Sequence, residues 1–253
     1  MPFFSHENLK LAYLDEGEGE PVLMIHGFAS SARVNWVSPG WFATLTGAGF
    51  RAIAIDNRGH GESDKPHDPE FYTPQAMASD AVALLTHLGI ENAHVMGYSM
   101  GARIAAFMAL GQPGKVRSLV LGGLGAGMLD GVGDWDPIAD AMLAPSLQDV
   151  THPRGRAFRL FADQTKSDRL ALAACIRSSR PLLTREQAAT IRQPALVAVG
   201  TKDDIAGSPQ VLAKALANGR ALDIHGRDHM LAVGDKVFKA ATLAFLQEVS
   251  GSV

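Results

Sequence analysis

The feature that most constrains this chain is a Gly-x-Ser-x-Gly pentapeptide between an apolar run and a helical segment. Gly97, Ser99 and Gly101 hold its fixed positions, residues 93–96 read as a buried strand, and Gly111 closes a following stretch of helical periodicity. A tight strand-to-helix turn crowds the residues beside its apex, and glycine fits there because it has no Cβ. Such a turn lifts the serine hydroxyl clear of the backbone, where it can attack a carbonyl carbon.

The pentapeptide alone leaves a second interpretation open. In that interpretation, Ser99 only caps the helix after an ordinary buried strand-to-helix turn. Because 26 of the 253 residues are glycine, the pattern by itself does not separate the two. The residues at the ends of the other strands must therefore decide between them.

Short apolar runs recur along the chain and predict a mostly parallel central sheet covered by helices on both faces. Continuous, often β-branched runs are typical of strands buried on both sides. They occupy residues 22–25, 52–55, 93–96, 118–121 and 195–199. Upstream, Leu9, Leu11 and Tyr13 alternate before Gly17 and Gly19, which predicts an edge hairpin. With 253 residues, 47% of them hydrophobic, the chain is long enough for one large α/β core.

Residues 125–190 break the alternation of strands and helices. They contain no strand-like run, and helical patterns cover residues 138–143, 156–164 and 170–178. An insertion of this size in a compact domain is usually functional. We therefore predict a core domain of residues 1–124 and 191–253, with residues 125–190 inserted as a helical lid.

Reactive residues come after two later strands, at the sheet edge where ligands bind in open parallel sheets. Asp203 comes just after the run at 195–199, and His229 lies in the loop after residues 221–224. A carboxylate there could orient a histidine that acts first as base and then as acid. The adjacent Asp204 would point the opposite way in an extended segment. The chain order Ser, Asp, His is that of hydrolases with a nucleophile elbow.

The first parallel strand leads into His26, Gly27 and Phe28. The backbone N–H groups of Phe28 and Met100 are the predicted donors to an oxyanion formed at Ser99. The other interpretation is a plain strand-to-loop turn in which His26 is a structural hydrogen-bonding residue.

Five motifs together carry a family resemblance. They are His-Gly-Phe at 26–28, Asp-Asn-Arg-Gly-His-Gly-Glu-Ser at 56–63, Gly-Tyr-Ser-Met-Gly at 97–101, Gly-Thr-Lys-Asp at 200–203 and Gly-Arg-Asp-His at 226–229. Over essentially its whole length the chain resembles the α/β-hydrolase family, in its serine esterase-like branch with a helical lid. The resemblance implies Ser99 as nucleophile, Asp203 as acid and His229 as base, and a structural role for the turn at 56–63.

The resemblance also narrows the chemistry. Relatives that open epoxides or cleave carbon–halogen bonds carry Asp at the nucleophile position, so Ser99 predicts against both reactions. Cofactor-free perhydrolases share the serine triad, which leaves perhydrolysis open as a side activity. Relatives often have Pro four residues after the acid, whereas this chain has Gly207.

The predicted reaction is hydrolysis of a carboxylic ester through an acyl-enzyme. Cleavage of an enol-lactone, a thioester or a carbon–carbon bond by the same triad is the alternative. An alternative of another class is a non-catalytic ligand-binding protein with a hydrolase fold. No spacing of the His-Glu-x-x-His kind is present, so we expect neither a metal nor an organic cofactor.

Composition gives no sign of a nucleic-acid or membrane partner, and the predicted site implies a small, ester-like substrate. The net charge of -3 provides no basic surface for nucleic acid, no apolar run is long enough for a membrane span, and the N-terminus lacks a signal-peptide pattern. The single cysteine, Cys175, is compatible with a reducing compartment, so the expected location is cytoplasmic. Oligomeric state is not predicted.

The substrate pocket is the least defined feature of the sequence. Eight acidic and eight basic residues balance each other between positions 125 and 190, so total charge gives no sign of an anionic substrate. Six apolar side chains of this segment either line an acyl pocket or form the core of the lid: Met128, Trp135, Met142, Leu143, Phe158 and Phe161.

Overall fold

The apolar runs form one eight-stranded sheet in the computed structural model, which describes residues 1–251. The strands are β1 (Phe3–His6), β2 (Leu9–Glu16), β3 (Glu20–Ile25), β4 (Phe50–Ile55), β5 (Ala93–Tyr98), β6 (Val116–Gly122), β7 (Ala195–Gly200) and β8 (Gly219–Ile224). Their order in the sheet is β1-β2-β4-β3-β5-β6-β7-β8. Strands β3 to β8 are parallel, and the first two strands run antiparallel to their neighbours. The predicted mostly parallel sheet is confirmed.

The helices are α1 (Trp41–Thr46), α2 (Pro74–His87), α3 (Met100–Gly111), α4 (Gly127–Asp130), α5 (Asp136–Leu143), α6 (Pro153–Gln164), α7 (Arg169–Ser178), α8 (Arg185–Thr190), α9 (Pro209–Ala215) and α10 (Lys236–Ser250). Helices α1 and α10 pack on one face of the sheet, and α2 and α3 pack on the other. No helix within residues 1–251 combines the length and the apolar character needed to cross a membrane.

Strand β3 shows why the central runs are apolar without interruption. Val22 and Met24 belong to the hydrophobic core on one face, while Leu23 and Ile25 belong to the core on the other. Successive side chains of a strand point to opposite faces, so a strand between two cores needs apolar residues at every position.

The edge hairpin is present, but its turn differs from the predicted one. Strands β1 and β2 pair through a turn at Glu7 and Asn8, whose φ angles of 49° and 62° are left-handed. The glycines at 17 and 19 lead instead into β3, which does not pair with β2 because β4 lies between them. Gly19 has φ +102°, and a Cβ there would lie 2.2 Å from the Gly49 carbonyl oxygen.

Residues 125–190, all of them described, contain α4 to α8 and no strand. The three predicted helical pieces correspond to α5, α6 and α7, and α5 packs against the other two. The short α4 and α8 were not predicted, because a helix of one or two turns leaves little periodicity in the sequence.

Hydrogen bonds within the turn at 56–63, and to residues outside it, fix the chain just after β4. The Asp56 carboxylate accepts from the backbone N–H groups of Ala32 and Glu62, and Ser63 Oγ donates to the Asp56 carbonyl at 2.6 Å. Arg58 is buried and forms a bidentate ion pair with Asp80. These contacts are consistent with the structural role that the resemblance implies.

Candidate active site

Ser99 stands at the apex of the turn between β5 and α3. Its φ of 54° and ψ of -113° are unfavourable for a residue with a side chain, and strain of this kind concentrates at functional sites. A Cβ on Gly97 would lie 2.1 Å from the Gly101 carbonyl oxygen, and a Cβ on Gly101 would lie 1.9 Å from that of Ile25. Both glycines are therefore required by the close approach. The side chain of Ser99 forms no capping hydrogen bond, so the helix-cap interpretation is wrong.

His229 reaches Ser99 from the loop after β8. Its Nε2 lies 3.1 Å from Ser99 Oγ, and its Nδ1 lies 2.7 Å from Asp203 Oδ2. A carboxylate only accepts, so Nδ1 carries the proton and Nε2 is free to accept the serine hydroxyl proton. Tyr98 O–H donates to the His229 carbonyl at 2.6 Å and fixes the backbone of this loop.

Asp203 is the acidic residue that contacts His229. Its side chain is fully buried, and Oδ1 accepts from the backbone N–H groups of Ile205 and Ala206 at 2.9 Å each. The neighbouring Asp204 is exposed. Asp228 Oδ1 accepts from two backbone N–H groups of its own loop. The structure therefore brings together Ser99, His229 and Asp203, as the sequence predicts.

Gly207 explains the missing proline after the acid. Its φ is +70°, which proline cannot adopt because its ring holds φ near -65°. The loop after β7 has a local conformation of its own, and the acid four residues earlier still meets His229.

Two backbone amides are placed beside the serine turn. Phe28 lies outside the helices and strands, and its N–H has no acceptor among the backbone bonds of the described residues. Met100 is the first residue of α3, where helical N–H groups lack an internal acceptor. Gly27, the residue before Phe28, lies against the serine turn, since a Cβ there would lie 3.5 Å from Ser99 Cβ. Asn35 Oδ1 holds this loop by accepting from the Gly27 N–H at 3.1 Å.

His26 is a structural hydrogen-bonding residue. It is fully buried, its Nδ1 donates to the Gly27 carbonyl at 2.7 Å, and its Nε2 accepts from the Asn57 N–H at 3.0 Å. Burial lowers the pKa of His26 from 6.5 to about 4. Burial and the neighbouring His26 lower the pKa of His60 to about 3. Both rings are therefore held neutral in the folded protein.

These two histidines predict a loss of stability in mild acid. The unfolded chain binds their protons near pH 6.5, whereas the folded protein binds them only near pH 4 and pH 3. As the pH falls from 6.5 toward those values, the free energy of unfolding drops by up to about 1.4 kcal/mol per pH unit for each histidine. Urea unfolding between pH 7 and pH 5 measures this slope. We expect His60→Gln to reduce it by about one proton, and a variant with the wild-type slope would contradict the assignment.

A cavity of about 570 Å³ opens over Ser99. Trp135, Phe158 and Phe161 line it, together with Phe28. The rings of Trp135 and Phe158 meet edge to face at 6.0 Å between centroids, and that of Phe158 lies 5.8 Å from that of Phe28.

The six apolar side chains of the inserted segment thus divide between the two interpretations. Trp135, Phe158 and Phe161 face the cavity, as a pocket lining requires. Met128 and Met142 are buried in the hydrophobic core, and Leu143 is largely exposed.

The sequence did not indicate the basic side chains of this lining, Arg154 and Arg180. The signal available was weak, since both lie among fourteen other charged residues of the same segment. Only the fold shows which of them turn inward. Within residues 1–251, no group of three His, Cys, Asp or Glu side chains has the arrangement of a metal site.

Comparison with known proteins identifies the family to which this fold belongs. The family model for the alpha/beta hydrolase fold matches residues 20–151. A Mycobacterium tuberculosis protein named as a candidate non-heme bromoperoxidase, BpoC, is 32% identical over 246 residues, covering 88% of this chain and 91% of that protein. Epoxide hydrolase 3 of Siraitia grosvenorii is 36% identical over 115 residues, 44% of this chain and 34% of that protein.

The solved structures extend the similarity to the whole fold. A hydrolase from Pseudomonas aeruginosa superimposes with a TM-score of 0.79 at 26% identity, covering 97% of each chain. The family match, the full-length relative and this superposition agree with one another. The chain belongs to the α/β-hydrolase fold family.

Proposed function

We propose that this protein hydrolyses carboxylic esters, with Ser99 as nucleophile, His229 as general base and acid, and Asp203 as the acid that orients the histidine. The observation that carries the proposal is the continuous hydrogen-bonded chain from Ser99 Oγ through the His229 ring to Asp203, at 3.1 and 2.7 Å. A nucleophile hydrogen-bonded to a base, which a carboxylate in turn orients, is the general pattern of covalent acyl transfer.

The reaction proceeds in two steps. His229 Nε2 takes the Ser99 hydroxyl proton as Oγ attacks the ester carbonyl, and the carbonyl electrons move onto oxygen. When the tetrahedral intermediate collapses, the C–O bond breaks and the alcohol leaves with the proton from His229. Water, deprotonated by His229, then attacks the acyl-enzyme and releases the acid. Buried Asp203 stabilises the imidazolium form in both steps. Every group in these steps belongs to the chain, the ester or water, so the proposal involves no cofactor.

The amides of Phe28 and Met100 are proposed to bind the oxyanion. A fixed N–H donor is most valuable where negative charge develops in a site from which water is excluded. Within residues 1–251 the Phe28 N–H has no backbone acceptor, and Met100 is the first residue of α3, where helical N–H groups lack an internal acceptor. The helix dipole of α3 adds to the same field at Met100.

Residues 125–190 are proposed to form a lid over a core of residues 1–124 and 191–253. The support is the placement of Trp135, Phe158 and Phe161 in the wall of the cavity that contains Ser99. A lid of this kind would exclude water and select the acyl chain.

The lid proposal predicts a change of chain-length preference. Each substitution Trp135→Ala, Phe158→Ala and Phe161→Ala removes cavity wall, so we expect the ratio of kcat/KM for hexanoate and acetate esters to shift by about tenfold. The rate of labelling by a small phosphonate should change much less. Leu143→Ala is the matched control, because this residue of α5 is exposed outside the cavity. Wild-type preference in all three variants would make these aromatic residues structural.

Perhydrolysis is the second candidate function. The Mycobacterium tuberculosis relative, which is 32% identical and matches this chain over 91% of its own length, is named as a candidate non-heme bromoperoxidase. In this chain, hydrogen peroxide would replace water in the second step, giving a peracid from the acyl-enzyme while Ser99 regains its proton. The epoxide hydrolase name does not transfer, because position 99 is serine rather than aspartate.

The test is an activity screen across esters, lactones and thioesters of graded chain length, each with and without hydrogen peroxide. Ester turnover that depends on Ser99 supports the proposal. Preference for an enol-lactone, a thioester or a carbon–carbon bond would assign the same side chains to another substrate. A protein that binds these compounds without turning over any of them, including a chromogenic short-chain ester, would be a ligand-binding member of the fold.

A further inference from the structure

Arg180 places a positive charge in the wall of the cavity. It lies just after α7, lines the same cavity as Ser99 and is half-buried. Its guanidinium carbon lies 3.7 Å from the centroid of the Trp135 ring and 5.9 Å from that of Phe28, the residue of the proposed oxyanion amide. The cation therefore lies against aromatic rings, in the cavity that contains Ser99.

Within residues 1–251, Arg180 has no ion pair and no hydrogen bond, and its Nε is buried without an acceptor. The two nearest cations differ in this respect. Arg103 donates to the Pro181 carbonyl at 2.6 Å, and Arg154 donates to the Val132 carbonyl at 3.0 Å.

The charged groups near Arg180 disfavour its cationic form instead of neutralising it. Burial, together with the positive charges of Arg103 and Arg154, lowers its pKa to about 9, so the group remains charged at neutral pH. Two carboxylates line other parts of the cavity, Asp204 and Asp228, and neither forms an ion pair with it.

A desolvated charge without a partner is costly, and proteins retain one chiefly where a ligand supplies the partner. The planar guanidinium fork matches a carboxylate, because two parallel N–H groups donate to its two oxygens. A guanidinium stacked on an aromatic face keeps its in-plane N–H groups for an acceptor, and the Arg180 guanidinium carbon lies 3.7 Å from the centroid of the Trp135 ring.

Resting on the proposed ester hydrolysis, we propose that Arg180 binds a carboxylate of the substrate. The preferred substrate is then an ester or lactone that carries a second, free carboxylate group. The balanced charge of residues 125–190 conceals this preference. The balance counts an exposed ion pair such as Arg185 with Asp130 equally with an inward-facing cation.

The test compares esters that differ in one charge. Monomethyl glutarate, adipate and pimelate carry the carboxylate on the acyl side, and the dimethyl esters are their neutral counterparts. Acetate esters of hydroxy acids carry the carboxylate on the alcohol side. For wild type, we expect a higher kcat/KM for one anionic series than for its neutral counterparts, with the best length reporting the distance from Arg180 to Ser99.

Arg180→Gln should lower the ratio of kcat/KM for anionic and neutral esters on the order of 10²-fold, because the substrate carboxylate loses a buried charged partner. Arg180→Lys keeps the charge without the fork and should lose less. Arg177→Gln, an exposed residue near the end of α7, is the control and should keep the wild-type ratio. A ratio that Arg180→Gln and Arg180→Lys leave unchanged would overturn the proposal.

Labelling and binding measurements distinguish a failure of the Arg180 proposal from a failure of the ester hydrolase proposal on which it rests. Failure of a neutral fluorophosphonate to label wild-type Ser99 would sink the ester hydrolase proposal itself. If labelling succeeds while anionic esters gain nothing over neutral ones, only the Arg180 proposal fails. Calorimetry adds a readout without turnover: adipate should bind the Ser99→Ala protein and should bind the Ser99→Ala, Arg180→Gln protein at least tenfold more weakly. Equal affinity would contradict the carboxylate site.

Discussion

Replacing Ser99 by alanine is expected to abolish covalent labelling by an active-site fluorophosphonate and to lower ester hydrolysis by about 10⁴- to 10⁶-fold. The substitution removes the atom that would form the bond to the acyl group. His229 and Asp203 then have no hydroxyl to activate, and groups that act as a unit lose nearly all of their effect together.

The measurement is intact mass after labelling, combined with turnover of a chromogenic ester. Wild type should gain one phosphonyl group and Ser99→Ala none. Ser208→Ala is the control, since its side chain is exposed and bonds to Gln210. Matching thermal stability is required of each variant, because residue 99 has a strained φ of 54° and alanine, which also carries a Cβ, retains that strain. A label retained by Ser99→Ala would mean that another residue is the nucleophile.

The proximity of Ser99, Asp203 and His229 could be predicted because independent constraints act on their positions. Parallel strands end at the same edge of a sheet, so side chains just after β5, β7 and β8 come together whatever the intervening chain does. Gly97 and Gly101 are imposed by the backbone, which would lie 2.1 and 1.9 Å from an added Cβ at these two positions. The two glycines of the pentapeptide are therefore required for steric reasons.

The pairing of the first strands was harder to predict, because turn residues mark where a chain bends and not which strand it joins. The glycines at 17 and 19 predict a hairpin turn after β2, whereas the hairpin turn in the structure uses Glu7 and Asn8 in left-handed conformations. Asn tolerates that region better than most residues, but Glu7 gives no local signal. The position of β4 between β2 and β3 is set by tertiary packing, which local sequence does not reveal.

Which side chains line the cavity could not be predicted from the sequence for a related reason. The longer helices of residues 125–190, α5 to α7, are amphipathic, and each of their apolar positions is compatible with either core or cavity. Met142 and Phe158 are alike in pattern, yet one is buried in the core and the other lines the cavity. Arg180 likewise resembles its exposed neighbours until the packing of α7 places it beside Trp135.

The acid of the proposed site can be identified by two conservative substitutions at adjacent positions. Asp203→Asn is expected to lower kcat by on the order of 10⁴-fold, and Asp204→Asn to keep most of the activity. The new amide at position 203 can still accept from the Ile205 and Ala206 N–H groups through its oxygen. Its NH₂ group then faces His229 Nδ1 and can only donate. The ring responds by moving its proton to Nε2, which removes the base that Ser99 needs.

The geometry makes the contrast between the two residues large. Asp203 is fully buried and 2.7 Å from His229 Nδ1, so the charge it supplies to the imidazolium is poorly screened. Asp204 is exposed, where water screens its charge, and it makes no contact with the histidine ring. Turnover and labelling rates, measured on variants of equal thermal stability, decide between them. If Asp204→Asn lost activity while Asp203→Asn kept it, the chain from serine to carboxylate would not be the one that performs catalysis, even though it is the one within hydrogen-bonding distance.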